Sequence, residues 1–173
     1  MFGVHRHVFS WLPIVWAILL GPGQAYAADL EISIPIRLTH AQNFDPAPSP
    51  DGKKLVFIST LSGKEQLFTM DAGGKNIAQL TRDDADHEDP AWSPDGKKIA
   101  FASNRRSHGY QIFVMDADGG NVRLIANTEG RGTAPRWSPD GKTIYFTNCV
   151  EKDYGTDCEI LMVRSEPQPL KAN

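Results

Sequence analysis

The 173-residue chain carries 18 basic and 21 acidic residues, a formal net charge of −3, and 40% of it is hydrophobic. That length and apolar content suit one domain with a packed core. The mild acidity excludes the clustered excess of Lys and Arg that a nucleic-acid surface needs.

In chain order, residues 1–27 read as a secretory signal peptide. A weakly basic start (His5, Arg6, His7) precedes a 13-residue apolar run from Val8 to Leu20. Gly21-Pro22-Gly23 breaks the run, and Ala25-Tyr26-Ala27 supplies the small-x-small pattern of a cleavage site. The run falls short of the ~20 residues that span a bilayer. An uncleaved N-terminal anchor is the alternative. No Cys stands at the cleavage point, which speaks against a lipoprotein, and a single Arg before the run does not indicate twin-arginine export. The expectation is a mature chain of residues 28–173, periplasmic or secreted, with no membrane insertion after cleavage.

Residues 31–39 come next and end in Leu38-Thr39 ahead of Asp45-Pro46, as Leu80-Thr81 does ahead of Asp89-Pro90. They read as a fourth strand with no sheet of their own. Then a repeat begins. Ser49-Pro50-Asp51-Gly52-Lys53 recurs 44 residues later as Ser93-Pro94-Asp95-Gly96-Lys97 and 45 residues after that as Ser138-Pro139-Asp140-Gly141-Lys142. Pro sets φ for the first corner of a tight turn, Asp bonds locally, and Gly takes the positive-φ position. An apolar run follows each turn (Leu55 to Ile58, Ile99 to Ala102, Ile144 to Thr147) and a second run follows later (Leu67 to Met70, Ile112 to Met115, Ile160 to Val163). These runs are short, β-branched or aromatic, and bounded by turn residues, so they read as strands. Both faces of each are apolar, as in a sheet stacked between two neighbours. Four antiparallel strands in about 44 residues is one propeller blade.

The string from Asp89 to Arg105, with its Ala-Trp-Ser-Pro-Asp-Gly-Lys centre, resembles the WD40-like (PD40) repeat of TolB-type propellers, and so does the string from Gln111 to Asn121. The resemblance runs from about Ile36 to Val163. It implies an all-β fold of three four-stranded antiparallel blades, half of a six-bladed propeller, over about 44–82, 89–126 and 134–164, with 31–39 as the closing strand. The resemblance also implies work in the cell envelope, with a protein partner such as a peptidoglycan-associated lipoprotein docked on the propeller. The repeats depart from one another in places. Pro48 replaces the Trp of Trp92 and Trp137, Arg164 replaces the Asp of Asp71 and Asp116, and the third repeat stops before its own fourth strand. The separate N-terminal domain of the family is not found. Propellers run from four to eight blades, so three do not close readily. A homodimer closing a six-bladed ring is the expectation, each N-terminal strand completing the partner's third blade. A truncated, non-functional fragment, or an arc shielded by another protein, is the alternative.

Cys149 and Cys158 are the only cysteines, and an even count in an exported chain favours a disulfide over two free thiols. The polar stretch Val150 to Asp157 between them reads as a long hairpin loop. The loops that lead into the innermost strands share one face of the disc with the loops joining the two middle strands. That face carries His87, Glu88, Asp89, Arg105, Arg106, His108, Tyr110, Arg131 and Tyr154, the candidate partner-binding residues. Arg and Tyr are the types that most often anchor interfaces. Singly, each is compatible with plain exposure. The acidic loop Asp83 to Asp89 lacks the Asp-x-Asp-x-Asp-Gly spacing of a calcium loop, so no metal is expected. No Gly-x-Ser-x-Gly, His-Glu-x-x-His or phosphate-cradling glycine loop is present, and no catalytic residue or cofactor is assigned. His40 and His87 occupy corresponding loops, a hint of a shared channel lining. A hydrolase or lyase using His87 and neighbouring carboxylates is the alternative to a binding protein.

Overall fold

A computed structural model describes residues 35–106 and 109–166. The expected signal peptide and His108 lie outside the described residues. The first sheet holds β1 (Asn43–Pro48), β2 (Lys54–Ser59), β3 (Gln66–Asp71) and β4 (Ala78–Gln79), in that spatial order. The second holds β5 (His87–Trp92), β6 (Lys98–Ser103), β7 (Gln111–Asp116) and β8 (Arg123–Ala126) in the same order. The third holds β9 (Arg131–Trp137), β10 (Thr143–Lys152) and β11 (Gly155–Arg164). All pairings are antiparallel. These are propeller blades, two of them complete. The third has three strands among the described residues.

The Ser-Pro-Asp-Gly turns fold alike three times. In the first, Gly52 at φ +69° donates its N–H to Ser49 O, Ser49 Oγ donates to Asp51 Oδ1 over 2.7 Å, and Lys53 N–H reaches the same carboxylate. The second and third copies reproduce the Ser–Asp bond at 2.6 Å each. The serine bond holds the Asp51, Asp95 and Asp140 carboxyls below their ordinary range, with the backbone N–H adding to it. These turns are structural and need no other role.

Each sheet has a leading face toward the preceding blade and a trailing face toward the next. Val56, Ile58 and Leu67 on the trailing face of blade 1 pack into Ile99, Phe101, Phe113 and Met115 of blade 2. Ala100, Ala102, Ile112 and Val114 then meet Ile144 and Phe146 of blade 3. At the second junction the small Ala100 and Ala102 share the cluster with the larger Ile144 and Phe146, which lets those sheets interdigitate. Two polar links repeat at each junction. The indole N–H of Trp92 donates to Ala47 O (3.1 Å), and that of Trp137 to Ala91 O (3.0 Å). At the inner-strand bulge, Asp89 N–H points to Asp45 Oδ2 (3.5 Å) and Ala134 N–H to Asp89 Oδ2 (2.9 Å). Asp45, Asp89 and Ala134 all hold φ near +50° there, so the bulge is one repeated device.

Two expectations change. Val150 to Asp157 is no loose loop: β10 and β11 pair rung by rung out to Lys152↔Gly155, and only Asp153-Tyr154 turn. The stretch is polar because both faces of this extension meet water, which removes the apolar alternation that marks a strand. Of the proposed closing strand, 31–34 lie outside the described residues, and 35–39 hold no strand within this chain.

Candidate functional site

The loops bordering the inner and middle strands do converge on one face. Asp86 N–H donates to Asn104 Oδ1, and Gly132 N–H to Tyr110 O. The candidate side chains divide there into two inter-strand clusters and an exposed arm.

The first cluster is buried. His87, at the start of β5, has no solvent exposure and meets Phe101 edge-on at 5.4 Å. Its Nδ1 lies 3.0 Å from Ser103 Oγ, and its Nε2 lies 3.2 Å from Asp83 Oδ1, off hydrogen-bond alignment. Arg105 completes the set. It donates through its backbone N–H and Nε to Ser103 Oγ (3.2 Å each), meets Asp83 Oδ2 at 3.0 Å, and lies over the Phe113 ring at 4.8 Å. With Arg105 donating to Ser103, the serine hydroxyl gives its proton to Nδ1, and the histidine proton sits on Nε2 facing the acceptor-only carboxylate. Desolvation, opposed by Asp83 and reinforced by Arg105, pushes the His87 pKa down to about 4. The Ser–His–Asp order is that of a catalytic triad, but Ser103 also has no exposure, so no substrate reaches it. His87 is therefore corrected from a surface residue and a channel lining to a neutral core group, and Arg105 from an exposed anchor to a half-buried cap on two Phe rings.

The second cluster joins blades 2 and 3. Arg131 Nη2 donates to both Glu88 oxygens at 2.7 Å and its guanidinium lies 4.7 Å from the Tyr110 ring centroid. Burial pushes the Glu88 carboxyl and the Tyr110 hydroxyl up, with Arg131 opposing both. Asp89 is not free to meet a partner: its carboxylate is the bulge link to Ala134. Arg131 remains exposed on its outer side, as does Arg106.

The third feature projects. In blades 1 and 2 the middle strands end at the pairs Ser59↔Gln66 and Ser103↔Gln111. In blade 3 the ladder continues past the equivalent Asn148↔Glu159 for four more pairs, about 13 Å at the usual rise. Cys149 and Cys158 face each other as the first of these pairs, Cα atoms 4.1 Å apart, and are joined. Lys152 and Asp157 pair at 2.6 Å nearer the tip, and Tyr154 at the turn is completely exposed. Among the described residues no group of three or more His, Cys, Asp or Glu is placed to hold a metal ion, and no helix is long and apolar enough to cross a membrane.

Sequence reasoning missed Gln66 and Gln111, whose buried amides tie the loops down. Gln66 Nε2 donates to Ala85 O (2.7 Å), and Gln111 Nε2 to Thr128 O and Gly130 O (3.1 Å each). The signal was a Gln at one repeat position, replaced by Glu159 where the arm begins.

The TolB beta propeller domain family matches residues 26–165. Among solved structures, the chain is similar to a protein assigned as TolB from Agrobacterium tumefaciens, with 22% identity, TM-score 0.60, and 73% of this chain and 53% of that one covered. It is similar also to TolB from Acinetobacter baumannii (24% identity, TM-score 0.55, 73% and 33% covered). An oligogalacturonate lyase from Vibrio parahaemolyticus has the same fold at 18% identity and TM-score 0.52, with 66% and 32% covered. The chain thus spans about half and a third of the two TolB lengths, and these likenesses carry the fold alone.

Proposed function

We propose, since this chain belongs to the TolB beta propeller domain family, that it is a protein-binding module of the cell envelope, exported to the periplasm. The observation that carries this is the stapled arm: a rigid hairpin that lifts an exposed Tyr154 clear of the disc, with Arg131 paired to Cys149 at its base; Arg106 is exposed in its own loop. A cross-strand disulfide lowers the ordering cost of binding, and Tyr and Arg are the side chains that most often anchor an interface. A disulfide also suits an oxidising compartment. Against the alternative of a hydrolase or lyase, the histidine that has an acid–base-like setting among the described residues, His87, is sealed in the core.

The test is capture from envelope extract by wild-type chain and by the double variant Arg106→Ala, Tyr154→Ser. The double variant should recover at least tenfold less of any protein the wild type retains, at an unchanged melting temperature. Equal recovery by both overturns the choice of surface. Turnover of oligosaccharide or peptide by the wild type overturns the binding-protein reading itself.

A further inference from the structure

We propose that the apolar rim at Ile36, Leu38 and Phe44, beside the leading face of blade 1, and the trailing face of blade 3 are two halves of one interface, filled by a second copy of this chain. The leading face of blade 1 duplicates that of blade 2. Leu55, Phe57, Phe68 and Met70 hold the register positions of Ile99, Phe101, Phe113 and Met115. The Phe57–Phe68 and Phe101–Phe113 pairs have the same geometry, 5.9 Å between centroids at 26°. In blade 2 that face receives the trailing face of the blade before it. In blade 1 it borders an apolar cavity of about 260 Å³, rimmed by Leu38, Thr39 and Phe44. Phe57, Phe68 and Met70 are already buried in the single chain, so the area still to be covered lies at this rim and on blade 3.

Blade 3 presents the complement. Tyr145, Ile160 and Met162 lie on its trailing face, Ile160 at 80% and Met162 at 71% exposure, and β11 is an edge strand without an outer neighbour among the described residues. An unpaired ten-residue edge invites another strand. Pro167 and Pro169, next in the sequence, lack the N–H groups a ladder needs.

Leu38 supplies the register. A Cβ on Gly74 would meet Leu38 O at 3.1 Å, as one on Gly119 would meet Leu80 O at 2.7 Å. Leu38 therefore sits on blade 1 where Leu80, the end of blade 1's own fourth strand, sits on blade 2. In blade 1 the Leu80 N–H reaches Leu67 O, and Ala78 pairs with Thr69. Carried to blade 3, that register sends the partner copy's Leu38 N–H to Ile160 O and sets its Ile36 opposite Met162. Ile36 is 85% exposed in the single chain, so this pairing covers two of its most exposed apolar side chains together. The junction lacks both polar links of the internal ones, since Pro48 has no indole and Ala134 no carboxylate. It is therefore the weaker joint, one that opens without unfolding the blades.

Sedimentation equilibrium of the purified chain from about 1 to 50 µM, which spans micromolar dissociation constants, should give a mass rising to twice that of the chain. Met162→Asp should weaken association at least tenfold with the circular dichroism spectrum intact. Mixing an Ile36→Cys chain with a Met162→Cys chain under mild oxidation should yield a crosslinked heterodimer, while Leu61→Cys, exposed elsewhere on blade 1, should not react with Met162→Cys. A monomer at every concentration, or equal crosslinking by the Leu61→Cys control, overturns the proposal. Neither result bears on the stapled arm, whose test is separate.

Discussion

Ser93 Oγ donates to Asp95 and accepts the Lys98 N–H, so one hydroxyl serves both arms of its turn. Ser93→Ala should cost about 1 kcal/mol and let the Asp95 carboxyl titrate nearer its ordinary value, read by NMR of the carboxyl carbon. The folded state holds that carboxyl low, so the turn's contribution is present above the unfolded pKa of about 4 and fades as pH falls through the folded one. His87 acts in a neighbouring window by a different route. Above pH 6.5 it is neutral folded or unfolded. Between 6.5 and about 4 the unfolded chain binds a proton that the buried ring refuses. Stability therefore falls with pH across that window, by on the order of 3 kcal/mol at its lower end. Denaturation midpoints at pH 7 and pH 5 should differ in the wild type and converge in His87→Gln; an unchanged gap removes His87 as the cause. His87 was legible beside Asp83 in one loop and Arg105 beside Ser103 in another, but not the four as partners, because the two loops and the Phe101 and Phe113 rings meet only once the strands pair.

At the scale of elements, the blades could be read from sequence because one period carries three landmarks at once: turn, first run, second run. The arm could not, since its strands face water on both sides and hide their alternation. Replacing both Cys149 and Cys158 by Ser should lower stability by roughly 2–3 kcal/mol, the loop-closure value for about ten residues. The loss should appear as a lower melting temperature matched by wild type under reductant. Trp92→Phe keeps the ring against blade 1 but strands Ala47 O, which should cost about 1 kcal/mol. The same change at Trp137 should cost a similar amount, because the link is the same. A cost at only one of them would mean that the indole bond is not a shared device.

In the whole molecule, blade 2 is the blade clasped on both faces by neighbours in the chain, and stacked repeats are stable in proportion to such neighbour contacts. Its central amides, from Ile99 to Ala102 and Ile112 to Met115, should exchange hydrogen last. Those of β11 should exchange first and slow down at high chain concentration if a second copy covers that edge. The number of blades and their order followed from the repeat; how the ends are finished did not, because the residues that finish them make contacts outside the repeat. The Ser-Pro-Asp-Gly turns carry one more implication. Every hydrogen bond that closes such a turn lies within six residues, Ser49 to Lys54 in the first case. A genetic crossover between two of these codons would add or delete a whole sheet while leaving each corner intact, so propellers of this kind can change blade count in a single event.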